Sequence, residues 1–198
     1  LVLRCGEEID RNDVIEKLEL TDIAYIACRG GWPRSLGLDR EISLEQAYDY
    51  YDSVIRSDIS RVDGINRNSE RVKRLMKSLA RNQGTQASFE SICDDLVINE
   101  SSSINRDTIY SYLNALKKIF VVEDMEAWNP NLRSKTSIRT SDTRYFVDPS
   151  IAVAALGLGP DDLVNDLNAF GFIFQTLCVR DLRVYADALD GNVYHYRA

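Results

Sequence analysis

The 198-residue sequence is short of the residues that mark several protein classes. It has one histidine, His195, and four cysteines, Cys5, Cys28, Cys93 and Cys178, none of them in a CxxC pair. Zinc sites need clustered ligands, so this scatter excludes a zinc-organised fold, and a chain long enough to bury a core has no need of a disulfide scaffold. The thiols are then expected to act as small hydrophobes in a reducing compartment, which predicts a cytoplasmic protein. Only four prolines, with 44% hydrophobic and 28% charged residues, exclude a disordered or fibrous chain. The longest apolar run, Ile151 to Leu158, falls far short of the roughly 20 residues of a spanning helix. The first residues hold no uninterrupted apolar core of a signal peptide, so no membrane partner is expected.

Catalytic signatures are scarce as well. Without GxxxxGK[ST] the chain lacks the backbone cradle and lysine that hold nucleotide phosphates. It has no GxSxG, no HExxH and no Cys/His pair, which leaves nucleophilic and zinc chemistry without a carrier. His195 then reads as an imidazole on a strand near the chain end rather than a catalytic group. Acidic residues outnumber basic ones by 31 to 24, for a net charge of −7, and such a field repels phosphate and argues against broad nucleic-acid binding. Only a local basic patch would bind DNA.

What the sequence does hold is helical periodicity. Ile9, Val14, Ile15, Leu18, Ile23, Ile26 and Ala27 recur at steps of three and four, and Gly30, Gly31 and Pro33 stop that helix. Ser43 with Gln46 predicts a capping box for a second helix carrying Tyr48, Tyr51, Ile55 and Ile59. Next, Ser69 is expected to cap a helix with Val72, Leu75, Met76 and Leu79 inward, closed by Gly84. Ser88 precedes a short helix with Phe89, Ile92, Cys93 and Leu96, and a third helix spans Asn105 to Ile119. FVVE and RYFVD then read as a strand pair, completing the order of a winged helix-turn-helix. After it come IAVAALGLG, a long helical region from Leu163 to Leu189, and the strand-like VYHYR. The expected fold is mainly α with a small β component, divided into a helical region over 1–65, a winged helix over 66–147 and the start of an α/β domain over 148–198.

The third helix offers candidate contacts. At about 100° per residue, Ile109, Tyr112, Leu113, Leu116, Ile119 and Phe120 share an inward arc, while Arg106, Asp107, Tyr110, Ser111, Asn114, Lys117 and Lys118 fill the outward one. In a helix-turn-helix the outward face enters the major groove, which makes Arg106, Tyr110, Asn114 and Lys117 candidate DNA or partner contacts. Leu132 to Arg144 adds Arg133, Lys135, Arg139 and Arg144 against Asp142, a local +3 where a wing would sit.

Taken in order, GGWP (30–33), IRSDIS (55–60), LMKSLARNQG (75–84), DTIYSYLNALKKIFVVEDMEAWNPN (107–131), TRYFVDPSIAVAALG (143–157), FGFIFQTLCVRDL (170–182) and VYHYR (193–197) carry a resemblance. They resemble the prokaryotic AAA-type ATPases that bear a C-terminal domain of unknown function with a restriction-nuclease-like fold. This resemblance implies that the ATPase module, with its ATP and Mg, lies before Leu1 and that the family's acidic strand lies after Ala198. The chain starts at Leu1 and stops just after a strand-like run, which points the same way, to a fragment of a longer polypeptide. It is then expected to be a non-catalytic regulatory and interaction region with no cofactor of its own, relaying ATP-driven change to a protein or nucleic-acid partner. The alternative is a DNA-binding winged helix. A divalent-metal nuclease is least expected, because Gln175 stands where the family offers glutamate and a neutral amide is a poor ligand for a hard cation. Asp181 lies about 240° around the helix from Gln175 and reads as a solvated charge. The expected partners are the ATPase module, DNA in the alternative reading, and a second copy through the unpaired edge of VYHYR.

Overall fold

Apolar residues at steps of three and four do form helices in the computed structural model, which describes residues 18–97, 105–128 and 142–196. The architecture is mainly helical with one small antiparallel sheet, in agreement with the expected fold class. Helix α1 (Leu20–Arg29) buries Ala24, Ala27 and Cys28 and ends at Gly30, whose N–H donates to the Ile26 carbonyl and whose φ of 75° turns the chain out of the helix. After a 3₁₀ turn (Pro33–Ser35), α2 (Arg40–Ser53) continues through a π-helical turn (Val54–Asp58) into the short α3 (Ile59–Arg61). That wider turn keeps Val54, Ile55 and Ile59 all in the core.

Two expected caps are corrected. Helix α2 starts three residues before Ser43, with Asp39 at the N-cap position. Ser43 is fully buried and donates its hydroxyl to the Ser35 carbonyl at 2.9 Å, tying the preceding loop to the helix. Likewise α4 (Ser69–Arg81) is capped by Asn68, whose side chain accepts from the Arg71 N–H, and Ser69 is its first helical residue. The other elements expected in this stretch are present with shifted ends: α4 closes at Asn82 rather than Gly84, then come α5 (Phe89–Val97), α6 (Arg106–Lys118) capped by Asn105, and β1 (Val122–Met125), two residues later than FVVE, antiparallel to β2 (Thr143–Phe146), with Val122 opposite Phe146.

Helix α7 (Pro149–Leu156) is the hub. Pro149 through Ala155 are all buried, as a helix that is apolar on every side requires, and its small side chains let α1, α2, α4 and the later α9 (Leu167–Asp187) pack around it. Between α7 and α9 runs the short α8 (Pro160–Asn165), and Asp166 splits the expected long helix by capping α9. Buried side chains from all three stretches marked out in the sequence, from Ala24 through Leu116 to Leu177, join one continuous cluster.

Arg67 fastens α3 to α6. Its guanidinium is buried; Nη1 donates to the Ile59 carbonyl (2.7 Å) and Asp63 Oδ1 (2.8 Å), and Nη2 to Asp63 Oδ2 (2.7 Å) and Ser111 Oγ (3.3 Å). The ring of Tyr112 lies against the same group, and its hydroxyl accepts from the Asn68 N–H.

VYHYR departs from its expected form. The turn after α9, with Asp190 at φ 53°, brings only His195 into register, where it makes a single parallel bridge to Ala127. Its N–H donates to the Glu126 carbonyl and its own carbonyl accepts from Trp128. Phe120 also departs. It follows the C-cap Ile119 with φ 55°, which rotates it off the inward arc and leaves it 71% exposed. Among the described residues no helix is long and apolar enough to cross a membrane.

Candidate functional site

A buried polar site joins three distant parts of the chain at Asp148, which is 6% exposed. Asp148 sits at the end of β2 and caps α7, accepting from the Ser150 N–H at 2.9 Å. Ser150 Oγ donates to the same carboxyl oxygen at 2.5 Å and in turn accepts from Trp32 Nε1 at 2.9 Å. The second carboxyl oxygen accepts from the Gly31 N–H and from Arg180 Nη1 of α9, both at 2.8 Å. A β-carbon on Gly30 would stand 2.4 Å from Ser150 Oγ and 2.5 Å from Asp148 Oδ1, so the turn can approach only as glycine. The GGWP segment is therefore a helix stop, as its composition indicates, and also one wall of this junction. Charge balance is local: burial acts against the Arg180 guanidinium, but Asp148 and Asp181 outweigh it and raise its pKa above the usual arginine value.

The sequence-predicted contacts are only partly brought together. Lys117 and Arg144 meet on one carboxylate, Asp124, which Lys117 Nζ contacts closely and Arg144 Nε reaches at 2.9 Å. Arg106 stands apart and pairs with Glu90 of α5 at 3.1 Å, with both side chains mostly exposed. Tyr110 is exposed and meets Phe89 edge-on, and Asn114 is half-buried. Arg133, Lys135 and Arg139 lie outside the described residues. Two cations of α6, Arg106 and Lys117, thus face acids of the neighbouring elements. Beside it a groove of about 710 Å³ opens between β1 and the end of α9, lined by Lys117, Phe120, Glu123, Arg183 and Tyr194. Arg183 partly caps the free edge of β1, contacting Glu123 and donating to the Asp124 carbonyl.

A basic face on α4 was missing from the sequence-derived candidates. Lys73, Arg74, Lys77 and Arg81 are exposed and fall within about 100° of arc, interleaved with the buried Val72, Leu75, Met76 and Leu79. The angular count applied to α6 would have found it on α4. Arg74, Lys77 and Arg81 border a hollow of about 360 Å³ with Asp95, whose carboxylate is held by Ser78 (2.7 Å) and Asn82 (3.4 Å).

Elsewhere, Gln175 donates to the Tyr145 hydroxyl at 2.9 Å, and Asp181 pairs with Arg180 at 2.8 Å rather than standing free in solvent. Burial raises the thiol pKa of Cys28 to about 12, helped by Asp162, and it pushes Cys93 and Cys178 up as well. Among the described residues no three His, Cys, Asp or Glu side chains gather as a metal site.

No curated protein and no solved structure matches this chain. The model of a domain of unknown function, DUF8612, matches residues 20–162, from the first residue of α1 into α8, and the chain belongs to that family.

Proposed function

We propose that this chain is a non-catalytic regulatory and interaction region of a prokaryotic AAA-type ATPase, relaying ATP-driven change to a protein or nucleic-acid partner. The observation that supports the relay is the Asp148 junction. A displacement of the GGWP turn pulls on Gly31, Asp148 and Arg180 together and so reaches α7 and α9, because a buried charge cannot give up its partners cheaply. ATP and Mg belong to the ATPase module in this reading, and this chain supplies no phosphate cradle. Adding the chain to the ATPase core of such a protein should change its rate of ATP turnover. The Arg180→Met chain, with α9 unhooked from the turn, should not. An unchanged rate with the wild-type chain would sink the relay.

A second reading is a DNA-binding winged helix over 66–147. The order α4, α5, α6, β1, β2 favours it, and so does the basic face of α4, which carries more exposed cations than α6. In fluorescence anisotropy with duplex DNA, Lys77→Ala/Arg81→Ala and Arg133→Ala/Lys135→Ala/Arg139→Ala should each weaken binding and flatten its salt dependence by about one unit of slope per lost phosphate contact. Affinity unmoved by both sets would remove this reading. A divalent-metal nuclease has the least support, since Gln175 and Asp181 are engaged with Tyr145 and Arg180.

A further inference from the structure

We infer that α9 is a dimerisation helix that pairs antiparallel with α9 of a second copy of this chain, about a two-fold axis at Cys178. Helix α9 buries Phe170, Ile173, Thr176 and Leu177 on one side. Its opposite side should be polar in a monomer, yet it carries Leu167, Gly171, Phe174, Cys178, Leu182 and Tyr185, continued by Leu189 just past the C-cap. These positions fall within about 80° of arc. Leu167 is 61% exposed, Phe174 44%, Leu182 54%, Tyr185 51% and Leu189 63%.

The spacing along this seam is +4, +3, +4, +4, +3, +4. That is two 11-residue repeats, a period close to that of a straight helix, so the seam runs nearly along the axis for about 33 Å. It is also the same read in either direction from Cys178, which is what an isologous antiparallel contact requires. The register sets Leu167 against the partner's Leu189, Phe174 against the partner's Leu182, and Gly171 against the partner's Tyr185. A β-carbon on Gly171 would meet nothing within 4 Å, so the smallest residue of the seam leaves an open hollow where the register brings the bulkiest ring. Asp181 is the one charged side chain at the margin of the seam, and Arg180 already balances it at 2.8 Å. With roughly 100 Å² still exposed on each of the five large side chains, a symmetric pair removes up to about 1,000 Å² from water, which lies at the lower limit for a specific interface.

Sedimentation equilibrium across a broad concentration series tests the pairing. The wild-type chain should approach twice its 22.5 kDa mass. Leu182→Glu and Tyr185→Glu, both at exposed positions, should keep the helical circular dichroism and raise the dissociation constant about tenfold or more. In a Cys5→Ser background a short bis-maleimide should join the two copies at Cys178, and Leu182→Glu should abolish that product. A concentration-independent monomer would overturn the inference. So would a dimer that survives both substitutions and is lost in Tyr196→Asp, since that outcome assigns the contact to the segment that bridges Ala127.

Discussion

Replacing Asp148 by alanine is expected to lower the free energy of unfolding by about 3–5 kcal/mol in chemical denaturation. The carboxylate is the shared acceptor for the Gly31 N–H, the Ser150 N–H and hydroxyl, and the Arg180 guanidinium, whose side chain is 19% exposed. Alanine leaves that cation with Asp181 as its one remaining acid, leaves two backbone donors unpaired and removes the cap of α7, and unmade buried bonds cost more than made ones contribute. Asp148→Asn keeps the shape and one acceptor and should cost less. Gly30→Ala should approach the alanine effect, since its β-carbon would also stand 2.7 Å from Trp32 Nε1. Gly37→Ala is the control: its φ is similar, 77°, but its β-carbon meets nothing within 4 Å, so only backbone strain of about 1 kcal/mol is expected. Equal small losses at Gly30 and Gly37 would show that the junction contributes little to stability.

Arg67→Met is expected to cost about 3 kcal/mol or more, because it removes the hydrogen bonds to Ile59, Asp63, Ile65 and Ser111 from a cation with no exposed side-chain surface. Arg61→Met, in a pair 3.7 Å apart with 78% of the arginine side chain exposed, should fall between about 0 and 1 kcal/mol. The two also differ in acid. Hydrogen bonding from Arg67 holds the Asp63 carboxyl down to about 2, against about 3.9 for a free aspartate. A depressed folded-state value means the contribution is complete above the unfolded-state pKa and is lost as pH falls through about 2. The wild-type chain should therefore lose stability between about pH 4 and pH 2 in part through this pair, and Arg67→Met should lose correspondingly less over the same window. Parallel acid profiles for the two proteins would remove Asp63 from the account.

Both predicted losses fall on residues that local sequence reading could not single out. Local pattern places most of the elements: steps of three and four set α4, α5 and α6, β-branched and aromatic runs set the strand pair to within two residues, and Gly30 stopped α1. Periodicity is a property of neighbouring residues, so it survives without knowledge of the fold. Even the seam of α9 is legible in this way once the helix is known to be exposed on that side. Tertiary structure alone decided which charges are free. Lys117 and Arg144 look available on a helical wheel and in a basic loop, but the β1–β2 register lays Asp124 beside Arg144 and faces it with Lys117 from α6. Phe120 looked inward until its left-handed backbone turned it out, and Ser43 looked like a cap until Asp39 began the helix sooner. The Asp148 junction spans 117 positions between Gly31 and its acceptor, and its partners are chosen by how α1, α7 and α9 pack around one core. A buried donor must find an acceptor within hydrogen-bond reach wherever the chain supplies one, and that distance is set in space rather than along the sequence.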